Sequence, residues 1–156
     1  MNNENYRTPL TSVETEVVKK GSSGKAIFIG FLVDIGGTAL FSTIAGLVYG
    51  LSLAAQNLEQ KEIENLLANI DVYSPFGIVC SLAGLLFSFL GGYVCASKSP
   101  CKEYRDASIL AIFSAISGFL MGGSYYSPIE NIIMAVIAST VILLGAHLHV
   151  RKSNNS

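Results

Sequence analysis

Apolar residues in this chain gather into four long stretches separated by short polar ones, with neither the alternation of a half-buried strand nor the narrow apolar stripe of a helix on a soluble core. A helix needs roughly 20 mostly apolar residues to cross a hydrocarbon layer about 30 Å thick. Windows of that size lie at 26–51, 76–97, 107–126 and 132–150, and the only formal charge inside any of them is Asp34. They predict an all-α, integral membrane four-helix bundle spanning 26–150. A flexible polar tail (1–25) precedes it and a short tail (151–156) follows. A cleaved leader is the competing reading of the first window, because Lys19, Lys20 and Lys25 precede it and Ser52-Leu53-Ala54 follows it. That window is far longer than the roughly 7 to 15 apolar residues of a leader and contains an acid, which favours an uncleaved span.

The connectors carry the orientation signal. Arg7, Lys19, Lys20 and Lys25 precede the first span, Lys98, Lys102 and Arg105 lie between the second and third, and Arg151 and Lys152 follow the fourth. Lys61 alone falls in the other two connectors, 56–74 and 127–131. Cytoplasmic segments next to membrane spans are enriched in Lys and Arg, so both termini are expected inside. Within the first outer connector Ile63, Leu66, Leu67 and Ile70 recur at helical spacing against Glu59, Lys61, Glu62 and Glu64. This predicts a short amphipathic helix lying on the outer surface or capping the bundle, whose acidic face reads most simply as solvated.

In lipid, helices associate where small residues let backbones approach closely. Gly77, Ser81, Gly84, Ser88, Gly92 and Cys95, with Gly91 at the edge, form one stripe along the second span, which is therefore expected at the centre of the bundle. Gly118 and Gly122 form a GxxxG in the third span, and Gly46 and Gly50 form another in the first. These positions are read as packing surface, within one chain or against a partner.

Asp34 follows Lys25 by nine residues, which at about 1.5 Å per residue sets it near the bilayer midplane. No Lys or Arg lies inside any span to neutralise it, and a charge at such depth costs about 2.5 to 3.5 kcal/mol on insertion scales. Gly30, Gly37, Thr38 and Ala45 share its face, so it is expected to point into the bundle. Counting depth along the other spans brings Ser88, Ser114, Ser117, Ser139 and Thr140 near its level. Asp34 with Ser88, Ser114, Ser117 and Thr140 is thus a candidate ion or proton site. The plainer alternative is a carboxyl that hydrogen-bonds a serine and fixes helix register.

Composition narrows the function classes. The chain of 156 residues is 51% hydrophobic and 13% charged with a net charge of −1, and its mean hydropathy is +0.50. It has no basic tract with which to grip nucleic acid. Cys80, Cys95 and Cys101 make an odd count that implies no disulfide framework. Cys95, Cys101, His147 and His149 fall near one predicted boundary, yet His147 and His149 leave a helix about 200° apart, and no CxxC or HxxxH spacing occurs. Neither a metal nor another cofactor is expected. Tyr49, Tyr73, Tyr93, Tyr104, Tyr125 and Tyr126 cluster at predicted span ends, as an interfacial aromatic belt does. No Ser, His and Asp set with nucleophile spacing is visible, so an enzyme is not expected.

The stretch Gly91-Gly92-Tyr93-Val94-Cys95-Ala96, followed by Glu103, Arg105 and Ala107, resembles a GGYVAA helix end of small, uncharacterised bacterial four-helix membrane proteins. Cys95 stands where that pattern often has Ala, and Ser97-Lys98-Ser99 where an Arg is common. The resemblance implies four helices and a bacterial inner (plasma) membrane location, and carries no activity. Small multidrug-resistance transporters also have four helices and an acid in the first span, but this chain has no Trp and a strong Lys/Arg bias. The expected function is a non-enzymatic accessory or scaffold subunit, or a self-associating membrane module, with the bilayer and a second copy or larger membrane protein as partners. The alternative is a small ion- or proton-coupled transporter or channel using Asp34.

Overall fold

The computed structural model describes residues 21–56, 58–100, 102–122 and 127–155. Among them every regular element is helical, and four helices are long and apolar enough to cross a membrane. Helix α1 covers Ser23–Ala54 and is interrupted by one π turn at Leu32–Gly36. Helix α2 is the short Gln60–Ala68, followed by α3 (Pro75–Lys98), α4 (Glu103–Gly122) and α5 (Pro128–Asn154). Each long helix extends beyond its apolar window or reaches close to its ends. Arg7, Lys19, Lys20, Cys101, Tyr125 and Tyr126 lie outside the described residues.

Local sequence sets the helix starts. The Ser74 hydroxyl accepts the Gly77 N–H at 3.1 Å, and Pro75 fills the first helical position, where a missing N–H costs nothing. Helix α5 opens with a capping box: the Ser127 N–H donates to the Glu130 carboxylate at 2.9 Å, the Ser127 hydroxyl accepts the Glu130 N–H, and Pro128 again stands first. The connector expected over 127–131 is accordingly shorter in the structure, because Pro128 belongs to the helix. Arg151 and Lys152 in the last turn of α5 complement its negative end.

Helix α3 touches each of the other three long helices. The closest approaches are backbone to backbone. Gly30 faces the Gly91 carbonyl and the Cys95 side chain, Gly92 lies on the Ile142 backbone, and Gly145 lies on the Phe89 backbone. Around them Cys95, Leu110, Ala111 and Ile142 form one apolar cluster and Ala96, Ala107 and Ala146 another. Both clusters occupy the same end of the bundle, where Gly21 packs on the Lys98 carbonyl, Arg105 donates to Ser23, and Tyr104 bonds His147.

Helix α1 is treated differently in its two halves. Ser23–Phe31 packs on both α3 and α4, whereas Gly37–Ala54 packs on α3 and α2. The π turn sits where these two modes of packing meet. At the far end Tyr49 stacks on Phe76 with ring centroids 4.6 Å apart, Leu67 of α2 meets Gly50, and the Tyr73 hydroxyl donates to Glu130 at 2.6 Å. The bundle is closed by backbone contact at one end and roofed by α2 and its connector at the other.

Candidate functional site

The π turn presents Asp34 to the interior, where only 2% of the residue remains exposed. Ser88 of α3 donates its hydroxyl to one carboxylate oxygen at 2.7 Å, and Ser114 of α4 donates to the other at 2.5 Å. Both serines are themselves buried. Thr38, one turn along α1, spends its hydroxyl on the Asp34 backbone carbonyl at 2.7 Å and so ties off part of the backbone around the π turn. No basic side chain forms an ion pair with Asp34 among the described residues. The carboxyl group is held by two neutral donors on two different helices.

One side of this cradle is sealed. The Gly30, Gly91, Cys95 and Leu110 contacts lie immediately beyond Asp34 toward the end where α3 finishes and α4 begins. The other side opens into a cavity of about 490 Å³ that runs from Asp34, Ser88 and Ser114 to Leu67, Ile70 and Val72 under α2. All four long helices and the α2 connector contribute to its wall. Its polar groups beyond the cradle are Thr38, Ser42, Ser81 and Asn131; the rest is apolar, including Phe76, Leu85 and Met134. Chemically this is a carboxyl group at the closed end of a mostly apolar chamber.

The structure brings together three of the five residues singled out from the sequence: Asp34, Ser88 and Ser114. Ser117 is half-buried and off the cavity wall, which α4 builds from Ser114, Ala115 and Gly118. Thr140 is exposed, its hydroxyl bonded to the Val136 carbonyl of its own helix at 2.8 Å, and with Ser139 it lines a separate groove on the outside of α4 and α5. Depth along a helix is legible from sequence; the direction around it is not, and that is what separates Thr140 from Asp34. Asn131 was assigned from sequence to a connector, yet it is buried at the start of α5 and faces the cavity. The capping box Ser127-x-x-Glu130 with Pro128 is the signal that could have extended the helix through it.

The small-residue positions divide by what they meet. Gly91 and Gly92 are buried in helix contacts, Gly91 against Gly30 and Asp34 and Gly92 against Ile142. Gly77 is buried against the Asp71 and Val72 carbonyls, so it seats the connector and not another helix. Ser81 and Gly84 line the cavity, with Thr38 in ordinary contact range of Gly84. Gly118 faces open space, and Gly122 closes α4. Near the sealed end His147 bonds Tyr104 and His149 packs edge-on against Tyr93.

A second buried acid went unnoticed in the sequence. Asp106 is fully buried at the start of α4, accepting the Ser99 hydroxyl at 2.7 Å and the Arg105 guanidinium at 3.1 Å. Unlike Asp34 it has a cation beside it, and with Arg105 reaching Ser23 it staples α1, α3 and α4 at the sealed end. Comparison with known proteins gives no match to this chain, whether among protein-family models, curated proteins or solved structures.

Proposed function

We propose that this multi-pass membrane protein is a small proton- or cation-coupled transporter or channel, with Asp34 as its ion site and Ser88 and Ser114 as the hydroxyl ligands. A single observation carries the reading: a carboxyl group without a basic partner among the described residues lies at the end of a cavity that they leave unfilled. A purely structural hydrogen bond is made as well in a packed core, and needs no such chamber. An ionisable group inside a span is by default a functional one when it faces a cavity in the bundle. In this reading the cavity opens to the outside. Lys25, Lys98, Lys102, Arg105, Arg151 and Lys152 sit at the sealed end, and the charge bias supports reading that end as cytoplasmic in a bacterial inner membrane, with α2 on the outer side.

The test is proton flux into liposomes holding the purified protein under an imposed pH gradient. Wild type is expected to conduct. Asp34→Asn keeps the shape and a hydrogen-bonding side chain, and is expected to reduce flux about tenfold or more, equivalent to about 1.4 kcal/mol on the barrier, with unchanged helicity. Equal flux from the two proteins would sink the reading. The second reading is an accessory or self-associating module, favoured by Gly118 on α4, which lines the cavity yet is exposed and meets no other described helix within 4 Å. Native mass spectrometry separates them: a stoichiometric complex with a different membrane protein, and no flux from the chain alone, would assign function through the partner.

A further inference from the structure

The chamber ending on Asp34 is much larger than a proton or bare metal ion requires. Its volume of about 490 Å³ falls within the range of small-molecule sites, about 300 to 1,000 Å³. The wall is asymmetric in its chemistry. One end holds a carboxyl group, and no Lys, Arg or His among the described residues contributes to the lining. The remainder is dominated by apolar side chains such as Ile35, Phe76, Leu85 and Met134. Such a wall suits a molecule with one positive end and an apolar body.

The hydrogen bonding narrows the charged end. A carboxylate offers about four acceptor positions, and each Asp34 oxygen accepts one serine hydroxyl. Acceptor capacity therefore remains on a residue that lines the cavity. A primary ammonium brings three N–H donors on a compact charge; a quaternary ammonium brings none. Resting on the assignment of Asp34 as the ion site, we propose that the cavity binds a small organic monocation, a primary ammonium on an apolar body. The nitrogen lies at Asp34 and the body lies toward Phe76. Proton and substrate then compete for one carboxylate, which couples the movement of each to the other.

Cys80 lies on the same wall and serves as a built-in reporter. In the intact reconstituted chain, modification of Cys80 by a methanethiosulfonate reagent is followed by peptide mass spectrometry. Phenethylammonium at about ten times its Kd is expected to slow the reaction roughly tenfold by mass action. The neutral 2-phenylethanol and Na⁺ are expected to leave it unchanged. Asp34→Asn should remove the protection and Asp34→Glu should retain part of it. Gly84→Leu, which fills the chamber and leaves Asp34 in place, should also remove it. Equal protection by the alcohol, protection by Na⁺ alone, or no protection in wild type each overturns the ligand class. If that happens while Asp34→Asn still loses proton flux, the ion site stands without this substrate; if Asp34→Asn changes neither flux nor protection, both fall.

Discussion

At the scale of single residues, glycines that look alike in sequence have opposite consequences. A methyl group on Gly92 would collide with the Ile142 backbone, and one on Gly145 with the Phe89 carbonyl, where no side chain can rotate away. Gly92→Ala is expected to destabilise the bundle by about 1 to 3 kcal/mol through overpacking. Gly118 and Gly36 meet nothing within 4 Å, so alanine there should be neutral, or stabilising by up to about 1 kcal/mol from helix propensity. Thermal unfolding in one detergent orders the variants; Gly92→Ala unfolding with Gly118→Ala would mean that the backbone contact does not limit stability. The stripe along α3 was readable as small residues. What each one meets was not, because a glycine against backbone, against a connector and against a cavity leave the same letter. The serines obey similar logic. Ser114 and Ser117 differ by about 60° around α4, enough for one to bond Asp34 and the other to miss it.

The long elements were legible for a plain reason: crossing a bilayer demands apolar runs of a length that few other structures need. Helix α2 lies within the periodic connector, where Ile63, Leu67 and Ile70 are half-buried and Leu66 is exposed. The π turn in α1 was invisible, since one wide turn leaves no mark in a sequence whose residues are apolar on both sides. Its effect is nonetheless specific. One extra residue in a turn offsets the two halves of α1 by about 100°. That offset lets Gly30 face Gly91 while Gly37 faces the Phe87 ring and Thr38, Ser42 and Gly46 line the cavity. Deleting Gly36 should restore a continuous α-helix and turn the second half away from Phe87. The expected outcome is a lower unfolding midpoint and a changed rate of Cys80 modification, with the Gly30 contact retained. A deletion variant with wild-type midpoint and Cys80 reactivity would show that the wide turn positions nothing.

For the whole molecule the decisive property is asymmetry along the membrane normal. Backbone contacts, two apolar clusters and the Asp106 staple close one end, while the other is held by side chains around a chamber. The described basic residues divide the same way, six at the sealed end and Lys61 alone at the other. Each Lys or Arg resists transfer across the bilayer, so the sealed end should remain where the chain is made and the chamber should face out. Lys61 on α2 and Ser153 on the last turn of α5 are both exposed and mark the opposite ends. In sealed vesicles of known sidedness, a membrane-impermeant thiol reagent added outside is expected to modify Lys61→Cys and spare Ser153→Cys until detergent is added. Peptide mass spectrometry distinguishes these sites from the native cysteines. The reverse pattern would turn the chamber toward the cytoplasm, making Asp34 reachable from inside and any coupled movement an export. Modification of both without detergent would mean mixed insertion, which the charge asymmetry should prevent. Removing that asymmetry is the complementary manipulation: Lys98→Gln, Lys102→Gln and Arg105→Gln together leave the sealed end with Lys25 and the two C-terminal basic residues among those described. Because Arg105 also pairs with Asp106, the same protein with Arg105 restored separates loss of the staple from loss of the orientation signal.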